Sequence, residues 1–357
     1  MNPLAYKARR TVACALAGVL LGAVPATAAT AASATAAASA TTDSADTAIG
    51  WRASGIAVSA DGNRAYVVAE DHLGNSYPTV LRVLDTRTRT VLAQTPLSQD
   101  GSAGRPVLSP DGNRLYVLAA DHLLIVDLAT YTVLSRTPVD GPRSIAVSAD
   151  GSRVFVTQQG TTGPGRLLVF DTFSRSFTAA TPLGDPEVDG IALHNGGADA
   201  YVGTGAGVVH LDLTAPVPTV TRTVRPLAAA TEVTASPEGT RLYALGSRVA
   251  QGSGYELDPF TDTSRTAFTL GGPATSADTH LVSVSPDGSR LFVLKDGWKP
   301  SATVLSYDTA TNTALPAADL TGFGLDGIGA TALGPDGHTL YLAGPRGETS
   351  YLKAVTF

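Results

Sequence analysis

The chain has 357 residues, 43% hydrophobic and only 16% charged, with 37 Gly and 22 Pro. Its net charge of -6, from 25 Lys and Arg against 31 Asp and Glu, argues against a nucleic-acid binder, which needs a basic footprint to neutralise phosphates. A single Cys excludes a disulfide scaffold and a Cys-based zinc site.

The first segment reads as an address. Lys7, Arg9 and Arg10 form a positive n-region, an apolar run follows over 11–24, and Ala26-Thr27-Ala28 fits a small-residue cleavage site. This is the pattern of a secretory signal peptide over 1–28, too short and wrongly flanked for a membrane span. Arg9-Arg10 is compatible with twin-arginine export as well as the general route. Residues 29–46 are Ala, Thr and Ser with few large apolar groups, and they read as a flexible tether. No later run is long and apolar enough to predict a membrane helix.

From residue 47 the chain repeats. GIAVSADGNRAYVV (55–68), RPVLSPDGNRLYVL (105–118), SIAVSADGSRVFVT (144–157), GIALHNGGADAYVG (190–203), EVTASPEGTRLYAL (232–245), LVSVSPDGSRLFVL (281–294) and ATALGPDGHTLYLA (330–343) are seven copies of one hairpin. Gly62 and Gly337 bracket six intervals, a mean period of about 46 residues, which lies in the range of propeller blades. In each copy an alternating strand meets an Asp-Gly turn. The Asp accepts hydrogen bonds from the turn backbone and the Gly supplies the positive φ. The return strand is aromatic and β-branched. Two more strands follow in most copies, and the third ends at Asp85, Asp127, Asp171, Asp212, Asp258 or Asp308, read as turn caps.

These features predict an all-β, seven-bladed β-propeller of four-stranded antiparallel blades over 47–357. The seventh copy has room for a third strand over 350–357 but none for a fourth. Residues 47–49 precede the first inner strand and are expected to complete that blade and close the ring, removing unpaired edges.

RVFVT (153–157), RLYVL (114–118) and RLFVL (290–294), following Asp-Gly turns and followed later by V-x-D-T, resemble the secreted YVTN/YncE-type seven-bladed β-propeller family over essentially all of 47–357. The Thr-Asn that names that family is present only as Thr157, followed by Gln158. The resemblance implies a secreted or surface binding protein and brings no catalytic motif with it.

In a propeller the loops joining second to third strands share one face with the loops between blades. There the copies diverge, and varied loops on a rigid scaffold usually carry function. Asp71-His72 and Asp121-His122 occupy equivalent positions in blades one and two. Arg52, Arg105, Arg143, Asp189, Glu232, His280 and Asp326 come from the segments entering each blade. Trp51 and Trp298 map to the same face, Trp51 either as a plug under the closing strand or as a ligand platform, and Tyr77 lies nearby. The candidate ligand-binding set is Arg105, Arg143, Asp189, Glu232, His280, Trp298, His72 and His122, a mixed-charge mouth with aromatic groups. Arg105 and Arg143 either hold an anionic ligand by paired hydrogen bonds or bond Asp189 or Glu232 across the channel. Of the other histidines, His210 is expected to pack in mid-strand, and His194 and His338 to be solvent-exposed in hairpins.

There is no HExxH, nucleophile elbow, P-loop or dinucleotide fingerprint, so no metal, cofactor or catalytic residue is assigned. The sequence therefore points to a secreted or cell-wall-associated monomer that binds a protein or small molecule. A propeller enzyme of lactonase, lyase or quinone-dependent dehydrogenase type is the alternative.

Overall fold

In the computed structural model the described residues are 41–42, 46–99, 101, 103–225, 232–237, 239–246, 253–259, 261, 263–269, 280–295 and 302–357. All lie in the larger of the two units into which the chain divides, Ala36–Phe357. They form seven antiparallel sheets, meanders in chain order except that the last takes its outer strand from the N-terminal end, which is the seven-bladed propeller. Blade one, for example, runs Arg52–Val58, Arg64–Glu70, Thr79–Asp85 and Val91–Ser98. Helix among the described residues is confined to the single 3-10 turns Asn195–Gly197 and Thr321–Phe323. No helix among them is long and apolar enough to cross a membrane.

The burial pattern follows from sheets stacked face to face. Second strands are covered on both sides and read as continuous apolar runs, as in Arg114–Ala119, where all but the first residue are buried. Fourth strands lie at the rim and alternate, as in Val91–Ser98. Seven apolar clusters fill the seven gaps between neighbouring blades. The cluster of Ile49, Ala53, Ile56, Val67, Ala330, Tyr341 and Leu352 joins blade seven to blade one, so the stack is a ring.

The hairpin turns have the expected chemistry. Ser59, Ser148 and Ser285 donate to Asp61, Asp150 and Asp287 at 2.5, 2.6 and 2.6 Å. These serine hydrogen bonds, with those from the turn backbone, hold all three carboxyls down to about 2. Gly62 has φ 72°. A side chain there would meet Pro335 Cγ of blade seven at 3.4 Å, so the turn of blade one rests on its ring neighbour. Asp85 and Asp308 cap the outer turns through the amides of Thr88 and Thr311, each at 2.8 Å.

Ring closure occurs as expected and extends further. Thr47–Gly50 pairs with the third strand of blade seven, Thr47 opposite Leu352. Thr41–Thr42, inside the stretch read as a tether, pairs with Thr356 and Val355 of the same strand. Asp46 bonds Lys353 and Arg346. The paired strand thus begins closer to the N-terminus than residue 47. Blade six differs from the regular pattern. Its fourth strand is split into Thr313–Ala314 and Ala318–Asp319 around Pro316, which has no N–H to donate.

Candidate functional site

The first strand of each blade enters from the loop face and lines the central axis. Counted back seven or eight residues from the turn glycine, the blades present Ser54, Arg105, Arg143, Asp189, Glu232 and His280 in ring order, with Gly329 and Ala330 in blade seven. Ser54, Arg105, Arg143, Asp189 and Glu232 line one cavity of about 520 Å³. Every blade contributes to its wall. Ile56, Ile145, Ile191 and Val233, one to two residues further along their strands, add apolar surface below the charged layer, among Thr234, Ser283 and Thr331. The volume falls within the range of roughly 300–1,000 Å³ typical of ligand pockets.

Bulges aim these side chains. In blade three Pro142 pairs with Gln158 and Ser144 with Thr157, leaving Arg143 as the extra residue. In blade four Asp189 and Gly190 fall within the register shift between Val188 and Ile191. In blade one Ser54 is the extra residue between Ala53 and Gly55. A bulge re-aims a side chain without altering the rest of the strand.

The charges are arranged by sign. Arg105 and Arg143 stand on adjacent blades and are both exposed. Among the described residues neither arginine pairs with Asp189 or Glu232, so of the two arrangements open from sequence the cross-channel ion pair is not formed. Arg143 instead donates to Gln159 Oε1 in its own blade. Glu232 Oε1 lies 2.8 Å from His280 Nδ1, linking blades five and six. Asp189 presents open surface to the channel, yet the surrounding walls displace much of the water its carboxylate would otherwise hold. This desolvation is the main reason its carboxyl is pushed up to about 6. Glu232 adds to the rise, and Arg143 and His280 oppose it.

Thr157 was legible only as the remnant of a repeat motif, and the structure gives it a positioning task. It is fully buried. Its hydroxyl accepts the Ser144 amide at 2.9 Å and donates to the Asp189 carbonyl at 2.8 Å. One side chain therefore ties the segments bearing Arg143 and Asp189. The available signal was that no other copy has a hydroxyl at this point of its second strand.

The other candidates lie elsewhere. His72 stacks on Tyr77 with ring centroids 5.1 Å apart, and Trp51 sits 5.1 Å from Tyr77. Trp51 and His72 line a separate cavity at the seam of blades one and seven, with Asp71, Arg82 and Glu348. Trp51 is half-buried there, and its carbonyl accepts from Ser350 Oγ at 2.8 Å. His122 begins the third strand of blade two opposite Ala119 and Pro138, and does not line the central cavity. The three histidines His72, His122 and His280 are not brought together. Among the described residues no cluster of His, Cys, Asp and Glu is arranged to hold a metal ion. Arg52 lies opposite Glu70, and Asp326 accepts the Gly347 amide at 2.8 Å. Trp298 lies outside the described residues.

His210 packs as expected, stacked on Tyr201 at 4.4 Å and 3.2 Å from Asp199. His338 is exposed, but His194 is buried and not exposed as the sequence suggested. The turn of blade five covers it, and its Nε2 meets the Gly239 carbonyl.

No family model matches the chain, and no curated protein matches it. Among solved structures, a chain of Kuenenia stuttgartiensis hydrazine synthase is similar with a TM-score of 0.68. It is 15% identical, covering 87% of this chain and 97% of that one. That likeness is one of fold alone. With 1403 matching chains of solved structure, the architecture itself selects no activity.

Proposed function

We propose that this propeller is a secreted or cell-surface binding protein that takes its ligand at the mouth of the central channel. Residues 1–28 serve as its export signal, and fusing them to a reporter tests that part directly. The reading rests on one observation: at one repeated position the blades carry different side chains, and Arg105, Arg143, Asp189 and Glu232 line a single cavity there, with His280 bonded to Glu232. Positions that differ among duplicated units carry what the duplication did not require. The same layer satisfies few of its own charges internally, which leaves the arginine donors and the Asp189 carboxylate available to a ligand.

A melting screen of small polar compounds tests the reading. A ligand at 100 times its Kd adds about 2.7 kcal/mol to stability. The double variant Arg105→Ala/Arg143→Ala loses that shift and Asp150→Ala, on the opposite face, keeps it. An equal shift in both variants would overturn the assignment.

A second reading, that of an enzyme, is favoured by Asp189 alone. A carboxyl at about 6 beside the Glu232–His280 pair is poised for general acid–base work. Turnover of lactones or related substrates, abolished in Asp189→Asn, would select it.

A further inference from the structure

The charged layer is polarised across the channel. Going round the ring, blades two and three carry guanidinium groups, blades four and five carry carboxylates, blade six carries a histidine already bonded to Glu232, and blades seven and one carry no charge in the layer. A ligand with one kind of charge would satisfy one half of this ring and face repulsion from the other. A ligand carrying both signs at opposite ends satisfies both halves at once.

Arg105 makes no hydrogen bond or ion pair among the described residues, and Arg143 uses part of its guanidinium on Gln159. Between them they retain donors in the fork geometry that suits a carboxylate. On the other side Glu232 is held by His280, whereas the Asp189 carboxylate accepts no hydrogen bond among the described residues. It stands open to the channel as an acceptor, a good seat for an ammonium group. Beneath the layer the walls carry Ile56, Ile145, Ile191 and Val233 alongside Thr234, Ser283 and Thr331, so the space behind the charges admits an apolar side chain.

We infer that the ligand is an ammonium–carboxylate zwitterion with an apolar side chain, that is, a free amino acid or short peptide. Its carboxylate lies on Arg105 and Arg143 and its ammonium on Asp189. This rests on the channel mouth being the binding site, as proposed above.

The test is isothermal titration of the full chain with L-leucine and L-leucyl-L-leucine. N-acetyl-L-leucine, which lacks the ammonium, and L-leucinamide, which lacks the carboxylate, serve as matched probes. At least one of the two zwitterions is expected to bind, with affinity at least tenfold above either blocked leucine. Asp189→Asn is expected to abolish the preference over N-acetyl-L-leucine, and Arg105→Gln/Arg143→Gln the preference over L-leucinamide. Retained preference in both variants, or a blocked compound binding as well as the zwitterions, overturns the inference. In the second case a loss of binding in Arg105→Gln/Arg143→Gln would leave the channel-mouth reading standing. If none of the four compounds binds, the zwitterion assignment falls, and the broader melting screen decides separately whether the channel mouth binds anything.

Discussion

Arg82 Nη1 lies 2.9 Å from the carbonyl oxygen of Ile49. One residue is in the third strand of blade one, and the other is in the N-terminal strand that completes blade seven. The same guanidinium holds both oxygens of Asp71, at 2.8 and 2.7 Å. Arg82 is nearly buried within an otherwise apolar strand, Thr79–Asp85. Its role is to fasten the first blade to the strand that closes the ring. A chain of stacked sheets gains stability from closure only if the two ends stay joined, and this contact sits at the join.

Removing the fastening should therefore be costly. Arg82→Ala leaves Asp71 without its partner in a partly buried site and is expected to cost roughly 3–5 kcal/mol, the usual consequence of breaking a buried pair. Urea unfolding measures this. A loss below about 1 kcal/mol would mean that strand pairing and apolar contacts hold the closure without this fastening.

Deleting the closing strand tests the same join from the other side. A chain starting at Ala53 loses the pairing of Thr47–Gly50 with blade seven and the fully buried Ile49. It is expected to melt on the order of 10 °C or more below the full chain, since burying one such side chain alone is worth roughly 2–5 kcal/mol. Unchanged melting would contradict a ring closed by this strand.

Acid should loosen the hairpin face in a defined window. Asp61, Asp150 and Asp287 have folded values of about 2, below the ordinary 3.8. Depressed carboxyls contribute stability above their unfolded value and lose it as pH falls through the folded one. Stability is thus expected to drop between about pH 4 and 2, and the triple Asn variant to show a shallower drop there. Identical acid profiles would remove the turn carboxylates as its cause.

Asp189 behaves with the opposite sign. Its folded value of about 6 lies above 3.8, so the folded chain holds its proton more tightly, and stability falls as pH rises from about 4 to 6. Asp189→Asn is expected to raise the melting temperature relative to wild type at pH 7.5 and to leave it unchanged near pH 3.5. If the variant is less stable at pH 7.5, the carboxylate is not desolvated as described. An ammonium ligand would lose affinity over the same interval as pH falls through about 6. Arg143, Glu232 and His280 are the charged neighbours that set this behaviour.

Thr157→Val keeps shape but removes the bonds to Ser144 and Asp189. It is expected to cost about 1–3 kcal/mol, because buried groups are left without partners. Ligand affinity should fall with it, while Thr157→Ser restores both. Lost stability with full affinity would make the residue structural only.

The repeats were legible because each hairpin solves one local problem, a reversal at Asp-Gly between apolar strands, and solves it with the same residues. The ring layer was legible for the converse reason: Arg105, Arg143, Asp189, Glu232 and His280 occupy one place in the repeat, yet the charge they bring changes from blade to blade. What escaped was set by contacts between blades. His194 looks exposed in its own hairpin and is covered by the turn of blade five at Gly239. His72 and His122 repeat in sequence but diverge in space, because Tyr77 and Trp51 sit only beside the first. The bulge that makes Arg143 an extra residue needs the register of two strands, which no single strand's sequence contains.

Hydrogen–deuterium exchange of the propeller with the tightest compound from the melting screen locates the binding surface. A ligand at the channel mouth brings new protection to the inner strands over 104–107, 142–145, 188–191 and 232–234 and leaves the hairpins over 59–64 and 148–153 unchanged. Protection confined to those hairpins or to the outer strands would contradict that placement.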